Sequence, residues 1–127
     1  MGLQFENLVV NNYGSLLPHL HLSDALLTSA APYRKSAVPS RRQKGCQVDL
    51  LIQSKKTIDV VEVTRRREIE RGIIDEVDAK VRCIRRPAGV SIRSALVYEG
   101  PIAPIIEADG YFDALVPIEK LLGLPVG

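Results

Sequence analysis

Cysteine is scarce in this chain, which has Cys46 and Cys83 and no others. That count builds no disulfide framework, and the two positions do not have the spacing of a metal-binding or redox motif. A chain of 127 residues buries its own core without staples, so the expectation is two free, half-buried thiols in a reducing cytosol. No apolar run approaches the length of a membrane-spanning helix. The opening MGLQFENLVV has Glu6 early and lacks the basic start of a signal peptide. These absences lead us to expect a cytoplasmic chain with no membrane partner. There is no G-x-x-x-x-G-K-[ST] loop, which excludes a P-loop ATPase from this stretch. Ser15, Ser23, Ser29 and Ser94 lack a nucleophile elbow, which argues against a hydrolytic triad. His19 and His21 have no third ligand nearby and read as ordinary surface or half-core residues. No repeat or low-complexity tract is present. The balance of 46% hydrophobic and 25% charged residues fits one globular domain over residues 1–127.

The net charge of +2 conceals an uneven distribution. Residues 34–93 hold 16 of the 17 Lys/Arg and 8 of the 15 Asp/Glu, a balance of +8, whereas the remainder is −6. Basic clusters fall at Arg41, Arg42 and Lys44, at Arg65, Arg66 and Arg67, and at Arg82, Arg85 and Arg86. Such a pattern suits a phosphate-facing surface. It also suits solvated faces laced with salt bridges.

The segment CQVDLLIQSKKTIDVVEVT, from Cys46 to Thr64, carries the most chemistry. It reads as two apolar strands joined at Lys55-Lys56. With that pair as the loop, Ser54 faces Thr57 and Asp49 falls opposite Glu62. Side chains alternate along a strand, so the face of Asp49 also carries Gln47, Leu51, Val60, Glu62 and Thr64. Like charges on directly opposed residues are unfavourable, and burying them unpaired costs more. A divalent cation held by both carboxylates resolves the conflict. A solvent-facing acidic pair, neutralised by nearby arginines, is the plainer alternative.

Around this hairpin, periodicity predicts a helix from about Gly2 to Leu17 limited by Pro18, and a strand near Ala31–Ala37. A basic turn spans 41–45, and the hairpin strands run over 46–53 and 57–64. A second helix is expected over 68–86, where Ile69, Ile73, Val77, Val81 and Ile84 form one stripe. SIRSALVY, residues 91–98, reads as a strand, 102–109 as irregular, and 111–116 as a short strand. Pro117 then opens a short helix through Leu122. The result is an α/β domain with a mixed sheet between helices.

That order, with an acid in the first helix and D-x12-E-x-T across the hairpin, resembles the PD-(D/E)XK nuclease-like fold. The resemblance implies a restriction-endonuclease-like α-β-β-β-α-β core and metal ligands at Glu6, Asp49 and Glu62. More closely, GCQVDLLIQ…IDVVEVT, with the flanks FENLVVNNY and YFDALVPIEKLLG, resembles the C-terminal domain of bacterial and archaeal AAA-type ATP-binding proteins. The implied activity is Mg2+- or Mn2+-dependent cleavage of nucleic acid by a domain attached to an ATPase. Implied nucleic-acid contacts are Arg41, Arg42, Lys44, Arg65, Arg66 and Arg67. One departure is Thr64, which stands where the family pattern has lysine. Lys80, on the following helix, is the candidate replacement, and Gln47 a candidate for orienting a ligand. Without a replacement, the fold remains as a catalytically decayed module for nucleic-acid binding, protein docking or dimerisation. For dimerisation, the apolar Leu115-Val116 pair and the tail from Leu121 to Leu124 offer a surface.

Overall fold

A computed structural model describes the backbone of residues 2–22, 27–36, 40 and 45–121, and the side chains of these except residues 2–6 and 27. Within it, β1 (Leu27–Lys35), β2 (Cys46–Ser54), β3 (Thr57–Arg65), β4 (Ser91–Glu99) and β5 (Ala114–Pro117) form one sheet in chain order. β2 runs antiparallel to both of its neighbours, β1 and β3, whereas β4 joins β3, and β5 joins β4, in parallel. Parallel neighbours require crossovers. These are supplied by α3 (Gly72–Cys83) and α4 (Pro104–Asp109). The protein is thus α/β, with a mixed five-stranded sheet flanked by helices.

One face of the sheet is covered by α1 (Gly2–Asn11), α2 (Tyr13–Leu16), a 3-10 turn (Leu17–Leu20) and α5 (Ile118–Leu121). There Val9, Leu16, Leu17 and Leu20 pack against Leu50, Ile52, Val61, Val63, Ala95 and Val97. On the opposite face, Ile73, Ile74 and Val77 of α3 and Ile106 of α4 meet Leu96 and Phe112. Beside them, Val48, Leu51, Ile58, Val60 and Ile84 form a further buried group. Covering on both faces explains why β3 is buried from Ile58 to Thr64.

Such a strand has no room for unpartnered polar groups. Asp59, buried on β3, is held by Arg93, whose Nε donates to Oδ1 at 2.9 Å and whose Nη2 donates to Oδ2 at 3.1 Å. The same Nη2 donates to the Leu20 carbonyl at 3.0 Å, pinning the 3-10 turn to the sheet. Burial raises the Asp59 carboxyl above its usual range, while Arg93 pulls it down.

Several expectations need correction. The first helix does not reach Leu17. It stops at Asn11, where the Asn12 side chain donates to the Leu8 carbonyl at 2.7 Å alongside its own backbone N–H, and a separate turn, α2, follows. Pro18 lies in the first turn of a 3-10 segment, Leu17–Leu20, that follows α2. β1 starts at Leu27, earlier than expected, and Ala37 lies outside the described residues. α3 is shorter than 68–86. Ile69 instead forms a parallel bridge with Ile102, and Ile84 is already extended. The 102–109 stretch contains α4, since Pro104 sits at the start of the helix, where its missing N–H costs nothing. β5 is Ala114–Pro117, so Pro117 closes a strand before α5. Val116 and Leu121 are consumed by the chain's own core, which removes them from a dimer surface, and Leu122–Leu124 lie outside the described residues. The cysteines are not free thiols: Cys46 and Cys83 form a disulfide, with Cα atoms 6.4 Å apart. Among the described residues, no helix is long and apolar enough to cross a membrane.

Candidate functional site

The β2–β3 ladder pairs Leu50 with Val61 through to Gln53 with Ile58, the register that a Lys55-Lys56 turn dictates. Ser54 Oγ and Thr57 Oγ1 lie 2.8 Å apart and close the hairpin. Beyond Leu50 the pairing with β3 ceases, while β2 follows β1 to the Lys35–Cys46 pair. At this divergence β2 holds one extra residue. Ala31 pairs with Leu51 and Tyr33 with Val48, leaving Asp49 and Leu50 opposite Pro32 alone. This is a β-bulge, a device that re-aims side chains. Pro32 has no N–H to offer a regular ladder. Regular alternation from Gln47 to Leu51 therefore fails: Val48 and Leu51 pack in one buried group, whereas Leu50 faces the other side of the sheet.

The bulge gives Asp49 a defined place. Val63 N–H, past the end of the ladder, donates to Asp49 Oδ2 at 2.9 Å. The carboxylate stands in for the strand carbonyl that has diverged and is held toward β3. Glu62 is on β3, its side chain only 9% exposed. Lys80 of α3 donates to both of its oxygens, at 2.8 Å and 3.0 Å. Burial and, after it, the neighbouring Asp49 carboxyl push the Glu62 carboxyl up to about 8, against the pull of Lys80. Two acids and one ammonium leave the cluster short of positive charge.

α3 presents this end of β2 and β3 with a row of links. Glu76 accepts from Arg66 at 2.8 Å, Lys80 holds Glu62, and Cys83 is bonded to Cys46. Positions four and then three apart lie on one helix face. Along that row runs an open cleft of about 600 Å³, lined by Lys35, Gly45, Cys46, Gln47, Glu76, Ala79, Lys80, Arg82 and Cys83.

The structure brings Asp49, Glu62 and Lys80 together, with Gln47 exposed on the rim of the cleft. Thr64 is buried on β3 beside Tyr98 of β4, and no hydrogen bond among the described residues joins it to the acids or to Lys80. Among the described residues, no arginine pairs with Asp49 or Glu62. Arg65 pairs with Glu99 at 3.5 Å and Arg66 with Glu76, while Arg67 is exposed. Glu6 belongs to α1, but its side chain lies outside the described residues, as do Arg41, Arg42 and Lys44. Among the described residues, no group of three or more His, Cys, Asp or Glu side chains is placed to hold a metal. Sequence reasoning missed the disulfide and the Glu76–Arg66 pair. A signal for the disulfide existed, because Cys83 follows Lys80 by one turn and Cys46 precedes Asp49 by three residues. Comparison with protein-family models, curated proteins and solved structures gives no match to this chain.

Proposed function

We propose that the chain is a nuclease-like domain that hydrolyses phosphodiester bonds with a divalent cation, Mg2+ or Mn2+. The observation that carries this reading is the meeting of Asp49, Glu62 and Lys80 beside an open cleft. The donor set fits a hard cation. Asp49 and Glu62 contribute carboxylate oxygens, and the cluster lacks positive charge. A bound cation would polarise the phosphate and lower the pKa of an attacking water. Asp49 is preorganised for its part by the bulge and by Val63 N–H. Lys80 brings an ammonium 26% exposed in its side chain, able to stabilise charge developing on a phosphate at the cleft. It does from α3 what Thr64 lacks the charge to do from β3. Helix, three strands, helix and strand succeed one another in the order of a restriction-endonuclease-like core, which supports the same reading. The proposal extends to a nucleic-acid partner and to an ATPase module in the same polypeptide. There it rests on the resemblance and on the basic balance of residues 34–93.

A second reading has its own observation. Lys80 already engages both oxygens of Glu62, as a metal-free structural ion pair would. The fold is then a binding module whose chemistry has decayed.

The test is cleavage of plasmid and oligonucleotides with Mg2+ or Mn2+, using the parent beside Asp49→Ala, Glu62→Ala and Lys80→Met. The hydrolytic reading expects metal-dependent products from the parent and at least a hundredfold loss in each variant. Cleavage that survives both carboxylate substitutions removes the assignment. A parent that binds neither metal and cuts nothing leaves the second reading.

A further inference from the structure

The Cys46–Cys83 disulfide joins the two elements that supply the site. Cys46 begins β2, three residues before Asp49, and Cys83 ends α3, one turn after Lys80. The fully packed residues of α3 lie in its first half, at Ile73, Ile74 and Val77. Its second half, which holds Lys80, is only partly covered, with Ala79 and Arg82 exposed and Lys80, Val81 and Cys83 half-buried. β2 is held here on one side only, by β1, since its pairing with β3 has ended at Leu50. The sulfurs therefore tie the partly covered end of α3 to a strand that is paired to β1, at the point where Lys80 must be placed. They also border the open cleft, in the company of Lys35, Lys80 and Arg82.

We propose that this disulfide is a redox-sensitive strap that positions Lys80, so that the site is assembled when the cysteines are oxidised and loosened when they are reduced. This rests on the functional reading above for what the site does, but not for the strap itself. The reductant is a dithiol. One of its thiolates attacks a sulfur of the pair, breaking the Cys46–Cys83 bond and forming a mixed disulfide. Its second thiolate then displaces the protein sulfur. Two electrons and two protons end on Cys46 and Cys83, and the dithiol becomes a disulfide. Access through the cleft admits the dithiol, and the surrounding cations favour the departing thiolate. Freed from Cys46, the last turn of α3 keeps Ile84 as its apolar anchor, and Lys80 samples positions away from Glu62.

The experiment uses the full chain, oxidised or treated with dithiothreitol, beside a Cys46→Ser/Cys83→Ser double variant. Alkylation read by mass should add nothing to the oxidised protein and two groups after reduction. Amide hydrogen exchange should rise at least tenfold in peptides covering 79–84 on reduction, with 58–63 changed less than twofold. The double variant should exchange like the reduced parent and ignore dithiothreitol. Nucleic-acid cleavage should fall at least tenfold in kcat on reduction with KM held, and return on reoxidation. Thiols that alkylate without reductant would overturn the strap, as would exchange at 79–84 that ignores reduction or rises equally throughout the chain. If neither form cleaves nucleic acid, the functional reading falls while exchange still decides the strap.

Discussion

Replacing Asp49 by asparagine separates its structural task from its charge. The carboxylate accepts Val63 N–H at 2.9 Å, and the isosteric amide oxygen keeps that bond. What disappears is the negative charge beside Glu62, one of the causes that push the Glu62 carboxyl up to about 8. A pKa unit is worth about 1.4 kcal/mol. Burial is the largest cause of the shift, so the share due to Asp49 is smaller, about 1–2 kcal/mol after allowing for partial solvent screening. Linkage sets the sign. The Glu62 carboxyl holds its proton more tightly in the fold than at the ordinary value of 4.5. Its contribution to stability is therefore complete below that value and is lost as pH rises toward about 8. Asp49→Asn weakens this loss. It should match the parent near pH 5 and exceed it at pH 8 to 9 by a melting shift of roughly 3–5 °C per kcal/mol. Asp49→Ala relieves the same repulsion but abandons a backbone N–H, at a cost of about 1–3 kcal/mol. It should melt below Asp49→Asn at every pH. Thermal melts of the three proteins from pH 5 to 9 make the comparison. An Asn variant no more stable than the parent at pH 9, or an Ala variant equal to it, refutes the reasoning.

Two other perturbations test the frame around the site. Arg93→Leu strands Asp59 in the core and frees the Leu20 carbonyl, so urea unfolding should show a loss of about 3–5 kcal/mol, with Asp59→Asn costing less. Gly100→Ala places a Cβ against the Arg66 carbonyl oxygen at a φ of +114°, which L side chains rarely adopt. It should lower stability by about 2 kcal/mol or more and disturb the Arg66–Glu76 link, read by denaturation and by chemical shifts in α3.

The parts of this fold that sequence made legible are those set by local chemistry. The Lys55-Lys56 turn fixed the β2–β3 register, and the ladder keeps it from Gln53 to Leu50. Within the expected stripe, Ile73 and Val77 mark the buried face of α3. Lys80 was named through the resemblance, whose pattern has lysine two residues after Glu62 where this chain has Thr64, and the structure sets its ammonium against Glu62. What escaped was set by partners distant in the chain. The bulge at Asp49 depends on β1 supplying Pro32 opposite it, whereas V-D-L-L-I read alone suggests unbroken alternation. The disulfide joins residues separated by 37 positions, brought together only when α3 packs along β2. Closing a loop of that length contributes roughly 4 kcal/mol in the chain-entropy account, enough to matter to a domain of ordinary stability. α4 was hidden because Pro101 and Pro104 read as breakers, although the first turn of a helix accepts proline readily. Asp59 sits on the same hairpin as Glu62 but on the other face of the sheet, and no spacing rule distinguishes its pairing with Arg93 of β4 from a surface pair.

Calorimetric titration of Mn2+ into the oxidised parent at pH 8, beside Asp49→Asn and Glu62→Gln, goes straight to the claim that these acids hold a cation. The parent should give a saturable one-site isotherm, and neither variant should give any. A parent that gives no heat at millimolar Mn2+, or variants that bind as well as the parent, contradicts it.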